Sequence, residues 1–404
     1  MPTNSPGHCD PVRSGENRPG PDLLPGAGLH WLDQASRGLL RVHGSLHVEL
    51  RSMENSLLGY GFNPFFARQV SLDELEQGRV GRVTEVQRSL ITVSDGSRER
   101  SIPITSSWHN AAPADRPTVG DWVVLDGQLS RVERVLERRS VFRRVAAGEK
   151  SEIQLLAANI DVLFVVTSCN EEFNESRLER YLALAADAGV LPVVVLSKAD
   201  LSQQADAFAE RVRKVQPGVP VESINALNKS TLGGLLAWIE PGSTIAFVGS
   251  SGVGKSTLLN TLAETELAAT RGIREDDKKG RHTTSHRALY RLPGGGLVID
   301  VPGMRELKVA AENTALVSVF ADIEHIASNC RFSDCRHESE PGCAVRNAVE
   351  SGELDARRLR NYLKLTREIR RNTASLAERR LQDKSFARHV RRVKVLKQDH
   401  RNRS

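Results

Sequence analysis

The segment Gly249-Ser250-Ser251-Gly252-Val253-Gly254-Lys255-Ser256 fits G-x-x-x-x-G-K-[ST]. It follows an apolar, strand-like segment and runs into helix-forming residues that begin at Thr257. Glycines let backbone N–H groups curl around phosphates, while the lysine reaches the β- and γ-phosphates and the serine hydroxyl binds Mg²⁺. The sequence therefore predicts a phosphate-binding loop over residues 249–257, with Lys255 in a catalytic role and Ser256 as a magnesium ligand.

A second phosphate element is predicted downstream, at Asp300-Val301-Pro302-Gly303. It ends an apolar strand and fits the D-x-x-G pattern, in which Asp300 holds Mg²⁺ through water and the Gly303 N–H meets the γ-phosphate. An ordinary turn could carry the same residues, but its place at a strand end after the phosphate loop favours the catalytic interpretation. Met304 stands where Ras-like enzymes carry a water-orienting glutamine, so we expect slow unaided hydrolysis.

Between these elements lies Gly280-Arg281-His282-Thr283-Thr284, in the position of a first switch. A threonine here would complete the Mg²⁺ shell when the γ-phosphate is bound. Spacing alone does not choose between Thr283 and Thr284, and we favour Thr284. His282, or a partner, is our candidate for completing the catalytic site.

The base-reading elements come earlier in the chain. Ser197-Lys198-Ala199-Asp200 resembles N-K-x-D, with a serine in place of the usual asparagine. Asp200 would accept the N1 and N2 protons of guanine, which adenine cannot offer as a pair. Asn225-Ala226 resembles the stretch whose backbone supports the guanine carbonyl. Because these segments precede the phosphate loop, the domain is predicted to be circularly permuted, which a fold tolerates when its old termini lie close together.

Strand patterns divide the chain into a multidomain α/β protein. Residues 1–55 are rich in Gly, Pro, Ser and Arg and predict a disordered extension. Residues 56–145 carry five short β-rich runs, typical of an OB-type barrel. Residues 146–310 alternate strands and helices, which favours a mostly parallel sheet, and residues 311–404 predict a helical domain with a basic tail.

Cys330, Cys335, His337 and Cys343 crowd into one short stretch of this last domain. Three thiolates and an imidazole complete a tetrahedral shell with no position left for water, which favours one structural Zn²⁺ over free thiols. The formal charge of +6 is compatible with an anionic partner. The sequence contains no membrane-length apolar run, so we expect a cytoplasmic protein.

The chain resembles the ribosome small-subunit-dependent GTPases of the RsgA/YjeQ family. The resemblance runs from about residue 57 to the end. It includes Arg116-Pro117-Thr118-Val119-Gly120-Asp121, Ala146-Ala147-Gly148-Glu149-Lys150, Gly280 to Thr284 and Asp300-Val301-Pro302-Gly303-Met304-Arg305-Glu306. It implies an OB barrel, a permuted GTPase domain and a zinc-bearing domain.

The same resemblance implies GTP and GDP as ligands, and the small subunit with its 16S rRNA as partner in late maturation. We also expect a monomer. Two other interpretations stay open at this stage. One is an RNA-binding assembly scaffold with a structural nucleotide. The other is a P-loop kinase or ATPase, against which Asp200 argues.

Overall fold

The structure is a computed structural model, and it describes residues 57–87, 89–145, 153–265, 287–300 and 313–373. The described residues belong to one compact unit. The predicted extension over residues 1–55, the first switch and residues 301–312 lie outside the described residues. No helix of the described part is long and apolar enough to cross a membrane.

The first module carries the five strands predicted from the sequence, and all five are confirmed. They are β1 (Val80–Val86), β2 (Leu90–Ser94), β3 (Glu99–Pro103), β4 (Trp122–Leu125) and β5 (Val132–Val135), with short helices α1 (Pro64–Ala67), α2 (Leu72–Glu76) and α3 (Ser106–Asn110). The strands pair antiparallel in the order β3-β2-β1-β4-β5. Among the described residues no ladder joins β3 to β5. Instead, Trp108 of α3 donates from Nε1 to the Val132 carbonyl at 3.1 Å, closing that side.

The second module is the predicted α/β domain. Its strands are β6 (Val141–Val145), β7 (Ile153–Ala158), β8 (Val162–Ser168), β9 (Leu191–Ser197), β10 (Val221–Ser223), β11 (Thr244–Val248), β12 (Arg287–Arg291) and β13 (Leu297–Asp300). Its helices are α4 (Glu175–Ala188), α5 (Ala205–Val215), α6 (Gly233–Leu236) and α7 (Lys255–Ala263). β6 and β7 form a separate hairpin, so the predicted boundary at 145/146 falls between two paired strands.

Strands β10-β9-β8-β11-β13 are parallel neighbours in that order, and β12 lies antiparallel beside β13. β8 shows why its sequence is a continuous apolar run. Leu163 and Val165 enter one core, whereas Phe164 and Val166 enter the core on the other face. A strand covered on both faces needs apolar side chains at every position.

Chain order explains where a ligand can bind in this sheet. β11 lies between β8, which precedes it, and β13, which follows it. After β8 the chain continues to β9 on one side, and after β11 it continues to β12 and β13 on the other side. The loops that follow β8 and β11 therefore diverge and leave a crevice at the carboxyl ends of these two strands. The predicted phosphate loop follows β11, and the predicted base loop follows β9.

The two modules share one sheet, because β1 also pairs with β12 at its far end. Arg82 of β1 reinforces this joint. It is 2% exposed, and its guanidinium donates to the carbonyls of Asn159 at 2.9 Å and Gly120 at 3.2 Å, and to that of Tyr60. This arginine therefore belongs to the joint between the modules and not to an exposed face of the barrel. Gly120 must be glycine here, since a Cβ would lie 2.1 Å from the Ala158 carbonyl oxygen.

The last module is helical, as predicted. It comprises α8 (Asn313–Val319), α9 (Ala321–Ala327), α10 (Ala344–Glu350) and α11 (Ala356–Thr373). Leu365 and Ile369 of α11 are buried in the same core as Leu182 of α4. The C-terminal helices therefore pack directly on the α/β module.

Candidate functional site

The phosphate loop has the backbone conformation that its glycines predict. Gly249 has φ +148°, and a Cβ there would lie 2.2 Å from the Val166 carbonyl oxygen of β8. Gly254 has φ +92° and caps the start of α7. The N-terminus of α7 therefore lies at the carboxyl edge of the sheet, where its unpaired N–H groups and partial positive charge favour phosphate.

Lys255 lies at the centre of this loop. Its ammonium donates to the Gly249 carbonyl at 2.8 Å and also to the Ser250 carbonyl. These bonds hold the charge inside the curl of the loop. Ser256, the predicted magnesium ligand, is exposed beside it in the first turn of α7.

Ser197 joins the base loop to the phosphate loop. Its side chain lies at the end of β9, is 1% exposed, and places Oγ 2.6 Å from the Val253 carbonyl oxygen and 3.1 Å from that of Thr167. The serine in place of asparagine thus still reaches the phosphate loop. The two predicted motifs, far apart in sequence, are in direct contact.

The next base-loop residues turn sharply. Lys198 has φ +57° and caps the 3₁₀ turn Ala199–Leu201, which contains Asp200. The Ala199 N–H donates to the Ile224 carbonyl at 3.2 Å, so the loop is tied to the strand that carries the other base element. The Asp200 side chain is exposed, as a ligand-facing carboxylate must be.

Asn225 and Ala226 complete this edge. The Asn225 Oδ1 accepts from the Leu227 N–H at 2.9 Å, a side-chain turn that a serine would also form. Thr261 of α7 donates to the Ala226 carbonyl at 2.7 Å. No motif marked Thr261, whose contact fixes the Ala226 peptide against the phosphate-loop helix.

A shallow depression of about 490 Å³ lies beside α7. It is lined by Leu227 of the base segment and by residues of α7, among them Ser256, Thr257 and Thr261. Leu227 is 81% exposed and Leu201 is 79% exposed, so both base segments end in an uncovered apolar side chain.

Asp300 ends β13 at the same edge of the sheet. β13 runs parallel to β11, with Ala246 opposite Ile299, so Asp300 lies one strand away from the start of the phosphate loop. Neighbouring strands are about 4.8 Å apart, which is within reach of a shared metal ion. The other predicted catalytic residues, His282, Thr284 and Gly303, lie outside the described residues.

The four predicted metal ligands are brought together. Their ligand atoms all lie within 4.8 Å of one another. The Cys330 Sγ is 3.9 Å from the Cys343 Sγ and 3.6 Å from the His337 Nδ1, which is itself 3.4 Å from the Cys343 Sγ. A tetrahedral zinc with bonds of about 2.3 Å to sulfur requires separations of about 3.8 Å, so the cluster fits that ion.

The surroundings shift the pKa values of the cluster's ligands in different directions. Burial opposes ionisation of Cys330, but hydrogen bonds from the Val345 and Ala344 N–H groups at the start of α10, together with those of Cys343 and Cys335, lower the pKa of that thiol. Burial raises the pKa of Cys335 to about 11, so metal binding at this ligand must release a proton. Burial also lowers the pKa of His337, which keeps the imidazole neutral. Thiolate and neutral imidazole are the forms that bind zinc.

A buried ionic network joins the C-terminal helices to α4, and no motif predicted it. Glu179 of α4 is 0% exposed, and its Oε1 accepts from Arg357 and Arg358, each at 3.1 Å. Asn361 donates to its other oxygen. Arg358 is also held by Asp322 of α9, with contacts of 2.6 and 2.8 Å. A basic helix beside a small metal module predicts contact with a phosphate backbone, but Arg357 and Arg358 at its start are held by Glu179 instead.

Comparison with known proteins agrees with this geometry. Residues 135–310 match the family model described as RsgA GTPase. "Small ribosomal subunit biogenesis GTPase RsgA 2" of Vibrio vulnificus is 46% identical over 347 residues, covering 86% of this chain and 97% of its own length. "Small ribosomal subunit biogenesis GTPase RsgA" of Xanthomonas axonopodis pv. citri is 44% identical over 308 residues, covering 75% and 84%.

Solved structures agree with the fold. YjeQ from Thermotoga maritima is 27% identical, with a TM-score of 0.53 over 72% of this chain and 98% of its own. YloQ, described as a circularly permuted GTPase, shows the same fold at 24% identity and a TM-score of 0.52, covering 73% and 96%. With the matched GTPase model over residues 135–310 and relatives matched over most of its length, this chain belongs to the RsgA GTPase family.

Proposed function

We propose that this chain hydrolyses GTP at the carboxyl edge of its sheet and acts in biogenesis of the small ribosomal subunit. The observation that carries the proposal is the contact of the Ser197 hydroxyl with the Val253 carbonyl at 2.6 Å. It puts a base-reading loop and a phosphate loop within the span of one nucleotide. Membership of the RsgA GTPase family supports the reaction, and the names of its relatives support the role.

Roles at the site follow from chemistry. Lys255 and the loop N–H groups neutralise the β- and γ-phosphates. The Asp200 carboxylate selects guanine because it accepts from the paired N–H donors of that base. Ser256 and Thr284 would bind Mg²⁺, which Asp300 would hold through water. The bound ion would offset charge on the phosphates. Gly303 would donate to the γ-phosphate and His282 would help place the attacking water.

The Cys₃His cluster holds one structural Zn²⁺ in this proposal. Its closed shell of four ligands leaves no position for a substrate, so the metal acts by folding the short loops around it. Cys343 is the N-cap residue of α10, and the cluster would therefore fix where that helix begins.

The face of α11 turned away from the core supports contact with 16S rRNA. Its exposed cations Arg360, Lys364, Arg367 and Arg371 recur every three to four residues, which aligns them along one side of the helix. A row of cations tracks a phosphate backbone and carries no sequence preference of its own. On this account the protein works as a cytoplasmic monomer that docks on the subunit.

The test is GTP turnover by the purified chain with and without purified small subunits. We expect stimulation by the subunit, since no glutamine follows the D-x-x-G motif. Lys255→Ala should lower stimulated turnover by about 10²–10³-fold, whereas Lys214→Ala, an exposed lysine in the last turn of α5, should not change it.

A scaffold with a structural nucleotide is the competing account. It predicts that Lys255→Ala leaves release of the protein from the subunit unchanged. Our proposal predicts that the variant stays bound after GTP addition. Equal turnover with and without subunits would contradict the subunit-stimulated reaction.

A further inference from the structure

One side chain outside every predicted motif contacts the phosphate loop. Arg177, in the first turn of α4, donates from Nη1 to the Ser250 hydroxyl. The Arg177 Nη1 also lies 3.9 Å from the Glu172 Oε2. Both side chains of that ion pair are well exposed, Arg177 at 39% and Glu172 at 57%. A long, exposed ion pair contributes little, so the contact with Ser250 is the one that orients this arginine.

The helix that carries Arg177 is fixed at its start. The Asn174 Oδ1 accepts from the Arg177 N–H at 2.9 Å and so caps α4. The following residues are buried, with Leu178 3% exposed and Glu179 0% exposed. The guanidinium is therefore presented to the loop from a rigid support.

The same stretch of α4 also contacts α11. Asn361 donates to the Ser176 carbonyl at 3.2 Å, Arg357 donates to the Ser176 hydroxyl at 3.3 Å, and Arg180 pairs with Glu368 at 2.9 Å. Adjacent side chains in a helix differ by about 100° around its axis. The side chains of Ser176 and Arg177 therefore contact two different neighbours, the C-terminal helix and the phosphate loop.

We propose that Arg177 is a positioning residue for the phosphate loop, and that α4 transmits the placement of α11 to it. The proposal rests on the proposed function, because it concerns the same nucleotide site. Held by Arg177, Ser250 keeps the first turn of the loop in the conformation that receives phosphate. A shift of α11 moves Ser176 and Arg180, and Arg177 between them moves as well. The partner-facing helix and the phosphate site are then connected by a short path of packed and charged groups.

The test measures the affinity of the full-length protein for a fluorescent guanine nucleotide. Arg177→Ala and Ser250→Ala should each weaken binding by about tenfold, mostly through faster dissociation, as expected for one hydrogen bond to a charged group. The nucleotide affinity of the double variant should lie within about twofold of that of either single variant, because the two side chains act as a unit. Arg177→Lys, which keeps a donor and the charge, should recover most of the loss.

Transmission is tested with Arg180→Ala, which removes the contact with Glu368. It should weaken nucleotide binding a few-fold in the wild-type background and not at all in the Arg177→Ala background. Arg213→Ala serves as the matched control, because that arginine is 52% exposed on α5 and pairs only locally with Glu210. It should leave the affinity unchanged.

Unchanged nucleotide affinity in Arg177→Ala, or additive losses in the double variant, would overturn the proposal. A lower melting temperature with intact affinity would also overturn it, by making Arg177 a purely structural residue. Lys255→Ala separates this inference from the proposed function. If wild-type protein binds and Lys255→Ala does not, the nucleotide site stands whatever Arg177 does.

Discussion

The carboxyl edge of the sheet and the C-terminal helices are held in place by different interactions. At the edge, the tight turn at Gly249 and the neutral hydroxyl of Ser197 hold the loops on a buried sheet. In the C-terminal module, position depends on ionisable side chains: the Cys₃His cluster and the network around Glu179. We therefore expect the edge of the sheet to tolerate changes of pH and chelation that the C-terminal module does not.

This difference means that each region can be perturbed while the other serves as a control. The two regions meet at α4, whose Leu182 shares a core with α11. Perturbing the C-terminal module should therefore reach the nucleotide only as a modest effect carried through that helix.

The largest effect is expected from metal removal. Chelation, or Cys343→Ser, should withdraw on the order of 10 kcal/mol of folding free energy from the loops around the cluster. Hydrogen exchange should then show loss of protection in α9 to α11. Protection of β8 and β11 should persist, and nucleotide affinity should fall only a few-fold.

Cys169 provides the control for the metal experiment. It is buried in the α/β core, remote in sequence from the cluster, and burial raises its pKa to about 11. Cys169→Ser should leave metal content at one ion per chain. Equal loss of protection in β11 and α11 on chelation would contradict separate support for the two regions.

Breaking the network at Glu179 should have the next largest effect. Glu179→Ala leaves Arg357 and Arg358 partly unpaired in a buried site and should cost about 3–5 kcal/mol in the free energy of unfolding. Glu179→Gln keeps hydrogen-bonding capacity and should cost less. Denaturant unfolding measures both.

Glu210→Gln is the matched control for Glu179, since Glu210 is 62% exposed. It should stay within about 0.5 kcal/mol of wild type. A similar small effect for Glu179→Ala would mean that packing, and not the ionic network, joins α4 to α11.

A smaller effect is expected from pH. Burial lowers the pKa of His337 below its ordinary value of 6.5, so the unfolded chain binds a proton at this site before the folded chain does. Its contribution to stability is therefore complete above about pH 6.5 and is lost as pH falls, at up to about 1.4 kcal/mol per unit. Bound metal adds to the same trend.

Hydrogen exchange between pH 7.5 and 5.5, corrected for intrinsic rates, measures the pH dependence attributed to His337. Protection of α10 should fall with pH, while protection of β11 should not. His109→Gln, an exposed histidine of α3, should leave the profile unchanged. A β11 profile that follows α10 would contradict the contrast.

Sequence reasoning succeeded where one local pattern determines both structure and chemistry. The two loop motifs and the metal ligands are short and flanked by the elements they require, so their positions at strand ends and in one cluster could be predicted, while the binding roles of the loop residues stay predictions. The continuous apolar runs of β8 and β9 predict buried parallel strands for the same reason.

It failed where a residue's role depends on a distant neighbour. Arg82 resembles a surface arginine of a barrel, yet it binds three carbonyls at the joint between modules. β12 was not predicted either, and its pairing with β1 makes one sheet of two. Glu179 and Arg177 acquire partners only through folding, and no periodicity in the chain signals them.

The nucleotide preference of Asp200→Asn shows whether the base loop and the phosphate loop bind one guanine nucleotide. If one guanine nucleotide spans Asp200 and the phosphate loop, wild-type protein should prefer GTP to XTP, and the variant should reverse that preference, because an amide can donate to the extra carbonyl of xanthine. Binding competition between the two nucleotides measures this. An unchanged preference for GTP would contradict the account.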